Sequence, residues 1–331
     1  MQNALIFRDY VQKWLYHIEG GYYANAPAIG MRGDFYTSVT LSPFFGGAIA
    51  NEIISLVERG AIEQNAAIVE FGSHNARLIA DVAQFIYTLR PELAFSLKFA
   101  IVEPIAALQK IQKDYLLKSF AEKIDFCVTD ALENVQSKSA FVFANELFDS
   151  FPFDLIYGDR TAFVENNKII WLSGDPKIIK RARELNIEQG ELFYGYEDFA
   201  QKLKAVFENL FFMTFDYGQS LPRHDFSARI YERHKTIPLF EIDDLSPYFQ
   251  KCDLTADAAF WHIEKAFKDA GFSNTKTINQ NSALIDMGLI KLLEIYQEKA
   301  GFEAYKKEAG RIKMLLDPAH LGERFKRFTA S

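Results

Sequence analysis

Residues 66 to 76, AAIVEFGSHNA, decide the fold. An apolar, β-branched run ends in Glu70, Gly72 follows, and a helical pattern resumes at Asn75, which is the strand–turn–helix opening of a nucleotide-binding α/β unit. Open α/β sheets bind ligands beyond the C-terminal ends of their strands, where helix N-termini offer free N–H groups, so the turn is expected to face a cofactor. A full glycine-rich loop would also carry glycine at positions 74 and 76. This chain has His74 and Ala76 there, and both carry a Cβ that glycine lacks.

The pattern continues downstream as βαβ. A helix is predicted from Asn75 to Leu89, a strand over 97–102, a helix over 105–117, and strands over 126–129 and 140–144. Glu103 follows the second strand, where an acid accepts hydrogen bonds from the ribose hydroxyls of a nucleoside; Pro104 behind it also suits a carboxylate at a helix N-terminus. Asp130 and Glu146 follow the third and fourth strands. A parallel sheet brings Glu70, Glu103, Asp130 and Glu146 to one rim, and four carboxylates there suit a cationic guest. In ANELFDSFPFDLI, residues 144 to 156, Asn145, Glu146 and Asp149 lie in a turn between a buried strand and Pro152, a set able to orient and desolvate a nitrogen nucleophile.

Working outward, residues 3 to 18 place apolar side chains at helical spacing and stop at Gly20-Gly21. The following stretch to Pro43 is rich in Gly and aromatic residues, and a long loop of that kind commonly serves binding; Gly33, Asp34, Phe35, Tyr36, Thr37 and Ser38 are candidates to cover a ligand, against a packed connector held by its rings. Residues 153 to 172 alternate apolar and polar with turns at Gly158-Asp159 and Asn166-Asn167, which predicts antiparallel hairpins. The charged stretch 175–191 reads as solvated, 196–210 as helix and 211–218 as a buried strand. A single helix is predicted over 253–272 with Thr255 as its cap, then a helical tail over 284–316 and a basic closing turn. His234, in a polar loop, is better read as a structural histidine than as a general base.

Composition narrows the function. The chain has 331 residues, 49% of them hydrophobic, which supplies a full core for one large domain or two. Its net charge of −7 argues against nucleic acid as the partner and leaves a small molecule or a protein. Cys127 and Cys252 stand in separate segments, and the histidines form no i,i+4 pair, so neither a disulfide framework nor a metal is assigned. No run of 18 uncharged apolar residues and no signal h-region occur, so neither export nor a membrane span is expected and a cytoplasmic location is.

Taken together, GGYY, GDFYTSVTLSPFFG, VEFG, IVEP, FANELFDSFP, FDYG, the Arg229 to His234 loop, CDLTADAAF, QNSALIDMGL and LLDPAHLGERFKRF resemble the MidA family of S-adenosylmethionine-dependent methyltransferases. The resemblance spans nearly the whole chain. It implies an α/β class I methyltransferase (Rossmann-like) fold, a mostly parallel seven-stranded sheet with one antiparallel edge strand. The expected divisions are an N-terminal helix and cofactor-covering loop over 1–60, core over 61–152, an inserted hairpin and charged segment over 153–195, core again over 196–290, and a helical tail over 291–331.

By motif position, the resemblance makes Glu70 and Gly72 part of the cofactor loop, Glu103 the ribose acid and Asp130 the partner of the adenine region. Gly33, Asp34, Thr37 and Ser38 fall in the GDF-x-T-S element that helps enclose S-adenosyl-L-methionine. Asn145, Glu146 and Asp149 form the catalytic NE-x-x-D turn beside the transferred methyl. The family loop is close to E-L-G-P-G-R-G, from which residues 70 to 76 depart. The implied activity is methylation of a protein arginine, with a respiratory complex subunit as the partner suggested by the mitochondrial member. Two alternatives stand beside it. One is a methyltransferase-fold assembly module without catalysis, motivated by His74 and Ala76. The other is a nicotinamide-dependent oxidoreductase, disfavoured because Glu103 comes 31 residues after Gly72 where about 20 is usual.

Overall fold

The computed structural model describes residues 4–25, 38–120, 124–232 and 235–331. The chain divides into two compact units, one formed by Tyr36–Leu147, Gln201–Asp216 and Ala270–Ser331, the other by Met1–Phe35, Phe148–Ala200 and Tyr217–Asp269.

The first unit is built on a sheet whose strands are β1 (Ala67–Phe71), β2 (Lys98–Val102), β3 (Phe126–Thr129), β4 (Ser139–Asn145), β5 (Asn209–Gln219), β6 (Thr275–Asn279) and β7 (Phe325–Ala330). Their order is β3-β2-β1-β4-β5-β7-β6. From β3 to β5 every pairing is parallel, and β6 runs antiparallel to β7. Strands covered on both faces read as unbroken apolar runs. Ile68, Val69, Ile101, Phe141 and Val142 are accordingly almost fully buried.

Helices supply the covering layers. Phe44–Glu58 packs on Arg77–Leu89 at close range because Gly46 and Gly47 carry no side chain: a Cβ at Gly46 would stand 2.7 Å from Asp81 Cβ, and one at Gly47 the same distance from the Phe85 ring. Phe45 reaches the sheet, its ring 5.0 Å from that of Phe215. The predicted tail is three helices, Gln280–Asp286, Leu289–Ala300 and Phe302–Leu316. The closing residues are not a basic turn but the strand β7. Its Phe328 is buried while Lys326 and Thr329 are only partly covered, and the charges of Lys326 and Arg327 mask the strand in the sequence.

The two smaller sheets of the second unit are antiparallel. The larger of these two runs Leu5–Ile6, Arg160–Glu165, Phe153–Tyr157, Gln189–Phe193, with Lys168–Ser173 paired to Arg160–Glu165. The hairpin turns fall at Gly158 and at Asn166-Asn167, all three with positive φ, as Gly and Asn tolerate. The helix Phe7–Tyr16 buries Phe7, Trp14 and Leu15, and Trp14 Nε1 donates to the Cys252 carbonyl at 2.7 Å.

Two expectations are corrected here. Residues 175–191 are not simply solvated: Asp175 caps the helix Pro176–Glu184, whose Ile179 and Ala182 are buried, and Gln189–Phe193 is a covered strand. Residues 253–272 are not one helix. Asp253–Thr255 pairs antiparallel with Arg229–Glu232, Ala258–Ala259 pairs with the last residues of β5, and the helix is Phe260–Asp269. Strand pairing from elsewhere in the chain outweighs a local helical pattern.

Candidate functional site

Beyond β1 the chain turns through three left-handed residues, Gly72, His74 and Ala76, with φ of 64°, 48° and 65°. Only the first is glycine. Each of the others costs about 1–2 kcal/mol of steric strain in that conformation, so the loop holds the path of a three-glycine turn with one glycine. Glu70 helps to fix it. Its Oε2 accepts from Ser73 Oγ at 2.6 Å and from the Ile79 amide at 3.0 Å, so the carboxyl ties the loop to the first turn of the helix Arg77–Leu89. Burial pushes the Glu70 carboxyl up to about 8, against the pull of Ser73 and Ile79.

Glu103 stands at the end of β2 and is 3% exposed. Its Oε1 accepts from the Ile105 amide at 3.0 Å and its Oε2 from Gln112 Nε2 at 3.2 Å. The same Gln112 nitrogen donates to the His74 carbonyl at 3.2 Å. Burial raises the Glu103 carboxyl, while the Ile105 and Gln112 donors pull it down. Asp130, past β3, is exposed and accepts from Asn134 Nδ2 at 3.1 Å.

Adjacent parallel strands align Phe71 with Val102, Val102 with Thr129 and Phe71 with Ala144. Glu70, Glu103, Asp130 and Glu146 therefore do meet at one end of the sheet. They are not equivalent: two are buried and bonded to neighbouring chain, and Asp130 and Glu146 are more open.

Gly33, Asp34 and Thr37 lie outside the described residues, as does His234. Ser38 is buried, and its hydroxyl donates to Gln280 Oε1 at 3.1 Å; Gln280 Nε2 in turn donates to the Leu315 carbonyl at 3.1 Å. That chain of contacts ties the end of the GDF-x-T-S element to the QNSALIDMGL helix.

At the end of β4, the Glu146 amide donates to the Phe215 carbonyl at 2.8 Å, and a φ of 52° at Glu146 turns the chain out of the sheet. Asn145 Nδ2 donates to Glu146 Oε1 at 2.9 Å. Asn145 Oδ1 is buried with no hydrogen-bond partner among the described residues. The boundary between the two units falls just after this turn, between Leu147 and Phe148.

Asp149 belongs to the second unit and is 5% exposed. The Tyr217 hydroxyl donates to its Oδ2 and lies 2.7 Å from Thr255 Oγ1. The Arg229 guanidinium sits over the Tyr217 ring, 4.7 Å from its centroid, and donates to Tyr231 Oη at 2.9 Å and Asp257 Oδ1 at 2.7 Å. Burial pushes the Asp149 carboxyl up to about 6, with Tyr217 and Arg229 opposing. The sequence reading assigned no site role to Gln112 or Tyr217, and it marked Thr255 as a helix cap. For Gln112 a signal existed: Leu108, Gln112, Leu116 and Phe120 form a buried i,i+4 stripe with one polar member.

The profile of a family of S-adenosyl-L-methionine-dependent methyltransferases matches residues 48–278. Among curated relatives, the mitochondrial protein arginine methyltransferase NDUFAF7 of Rattus norvegicus is 23% identical over 352 residues, covering 96% of this chain and 78% of the rat protein. The NDUFAF7 homolog of Drosophila melanogaster is 26% identical over 159 residues, 44% of this chain and 36% of the fly protein. The chain thus spans about a third of the fly relative's length in that match. Among solved structures, a COG1565 superfamily member from Burkholderia thailandensis bound to S-adenosyl-homocysteine superposes with a TM-score of 0.84 at 22% identity, covering 100% of this chain and 88% of that one. That likeness establishes the class I methyltransferase fold. The family profile, spanning well over half of the chain on this sheet and its loops, shows that the protein belongs to the MidA-type family of S-adenosylmethionine-dependent methyltransferases.

Proposed function

We propose that the protein methylates an arginine side chain of another protein, the chemistry that the NDUFAF7 relatives carry in their name, with a respiratory complex subunit as the partner that the resemblance to the MidA family suggests. One observation carries the acceptor chemistry: the Asn145–Glu146 turn presents a half-buried carboxylate at the end of β4, the strand beside the cofactor strand β1. A guanidinium stays cationic in water, with a pKa above about 12. A carboxylate can bind it through two hydrogen bonds, localise its charge on one nitrogen and accept the proton released when that nitrogen is methylated.

The residues present fit the cofactor. Gly72 is exposed and left-handed, and a Cβ there would crowd Leu147 Cδ1 at 3.3 Å. S-adenosylmethionine supplies an electrophilic methyl on a sulfonium. In this reading Gly72 lets the backbone come close to it, Glu103 accepts from the ribose hydroxyls, Asp130 borders the adenine, and Glu70 braces the loop. The family resemblance assigns Gly33, Asp34, Thr37 and Ser38 to the cofactor, and Asn145, Glu146 and Asp149 to the acceptor. Displacement at a methyl is in line, so positioning contributes most of the acceleration.

The test is calorimetric titration with S-adenosylhomocysteine followed by transfer of labelled methyl to an arginine-bearing protein. Glu103→Ala is expected to weaken binding about a hundredfold, since two charge-assisted hydrogen bonds are lost. Glu146→Gln is expected to slow transfer about a hundredfold, roughly the low end of acid–base contributions, with binding kept. Folded wild-type protein that binds neither cofactor nor product would favour the assembly-module reading, and unchanged turnover in Glu146→Gln would remove that carboxylate from the chemistry.

A further inference from the structure

The helix Ala106–Phe120 presents Leu108, Gln112, Leu116 and Phe120 to the interior. A leucine at position 112 would complete that stripe without an amide to satisfy. Instead the Gln112 side chain is fully buried, and its Oε1 has no hydrogen-bond partner among the described residues. Burying an amide with one end unsatisfied costs stability. Its Nε2 spans two acceptors, Glu103 Oε2 and the His74 carbonyl, each at 3.2 Å. These acceptors belong to different elements, the end of β2 and the loop after β1. His74 is also one of the two non-glycine residues that the loop forces into the left-handed region.

We propose that Gln112 is a positioning residue for cofactor binding: one amide nitrogen sets the Glu103 carboxylate and the strained His74 segment of the loop in fixed relation. The proposal rests on the reading of Glu103 as the ribose acid. Rotation of the carboxylate about its last side-chain bond is soft, and Gln112 and the Ile105 amide hold its two oxygens in one orientation before any ligand arrives. The same donor holds the His74 peptide against relaxing out of its unfavourable conformation. Preorganisation of this kind appears in affinity rather than in the rate of the chemical step.

The experiment uses the full chain with Gln112→Met, which keeps length and volume but removes the donor, and Leu116→Ala as a cavity control on the same helix face. S-adenosylhomocysteine affinity is read by calorimetry, KM and kcat by methyl transfer, and the thermal midpoint in parallel. Gln112→Met should raise Kd and KM together by about tenfold, the loss of one hydrogen bond to a charged group, with kcat kept and the midpoint unchanged or higher. Leu116→Ala should lower the midpoint and leave Kd alone. Should Gln112→Met fold poorly, Gln112→Leu provides the same comparison. Unchanged Kd in a folded Gln112 variant, or an equal loss in Leu116→Ala, would overturn the proposal. Glu103→Ala in the same titration separates the two readings: binding that survives it overturns the ribose assignment, whereas binding lost in Glu103→Ala and intact in Gln112→Met overturns the role of Gln112 alone.

Discussion

Glu70 in the first unit and Asp149 in the second are both buried carboxylates raised by loss of water, to about 8 and about 6, yet their partners differ in kind. Glu70 is met by a serine hydroxyl and a backbone amide, neutral donors that keep their protons across the physiological range. Asp149 is met by a phenol, with a guanidinium over that phenol's ring. A carboxyl spent on backbone donors fixes the path of a loop. Tyr217 and Arg229 oppose the burial of Asp149 and favour its ionised form, the form that the proton acceptor proposed above requires.

The contrast breaks most clearly at Asp149. Asp149→Asn keeps the shape and removes the charge, and turnover is expected to fall about a hundredfold, within the usual range for an acid–base group, while S-adenosylhomocysteine affinity stays at the wild-type value. A parallel loss of affinity would place Asp149 with the cofactor groups instead. In the loop the expected effect is on folding: Gly72→Ala puts a Cβ on a left-handed residue and against Leu147, which should cost about 2 kcal/mol of stability, seen as a lower midpoint in urea. The gentlest test is Tyr217→Phe. The phenol's hydrogen bond favours ionised Asp149, so its removal raises that pKa further. Activity that requires the carboxylate is lost as pH falls through about 6 in the wild type, and the variant's acid limb should move upward by about one pH unit, the equivalent of one hydrogen bond. An unmoved limb would assign it to another group.

Much of the first unit was legible because buried parallel strands are written as apolar runs closed by acids. AAIVEF, LKFAIV and AFVFAN need no tertiary information to be read as strands. The loop conformation was only half legible. Glycine at 72 announces a left-handed residue, but His74 and Ala76 take the same conformation under constraints from Glu70 and Gln112, and no local rule predicts that a histidine will be held there. Asp253–Thr255 was misread because its partner, Arg229–Glu232, is remote in sequence. The helix Pro176–Glu184 was hidden by its charges, since two buried residues are a thin signal among four basic and one acidic neighbours in KIIK and RARE. Gln112 stood in view as a polar residue in an apolar stripe, yet its purpose depends on two acceptors that only the folded chain brings together.

The strand Leu5–Ile6 pairs with Phe163 and Val164, and the helix that follows it places Trp14 against Cys252. On a ribosome adding roughly 5–20 residues per second, the first of these partners emerges roughly ten to thirty seconds after the opening strand, and the second later still. Through that interval Phe7, Val11, Trp14 and Leu15 have no folded surface to cover them. The opening segment therefore waits with an uncovered apolar face, the kind of surface that a chaperone holds until its partners arrive.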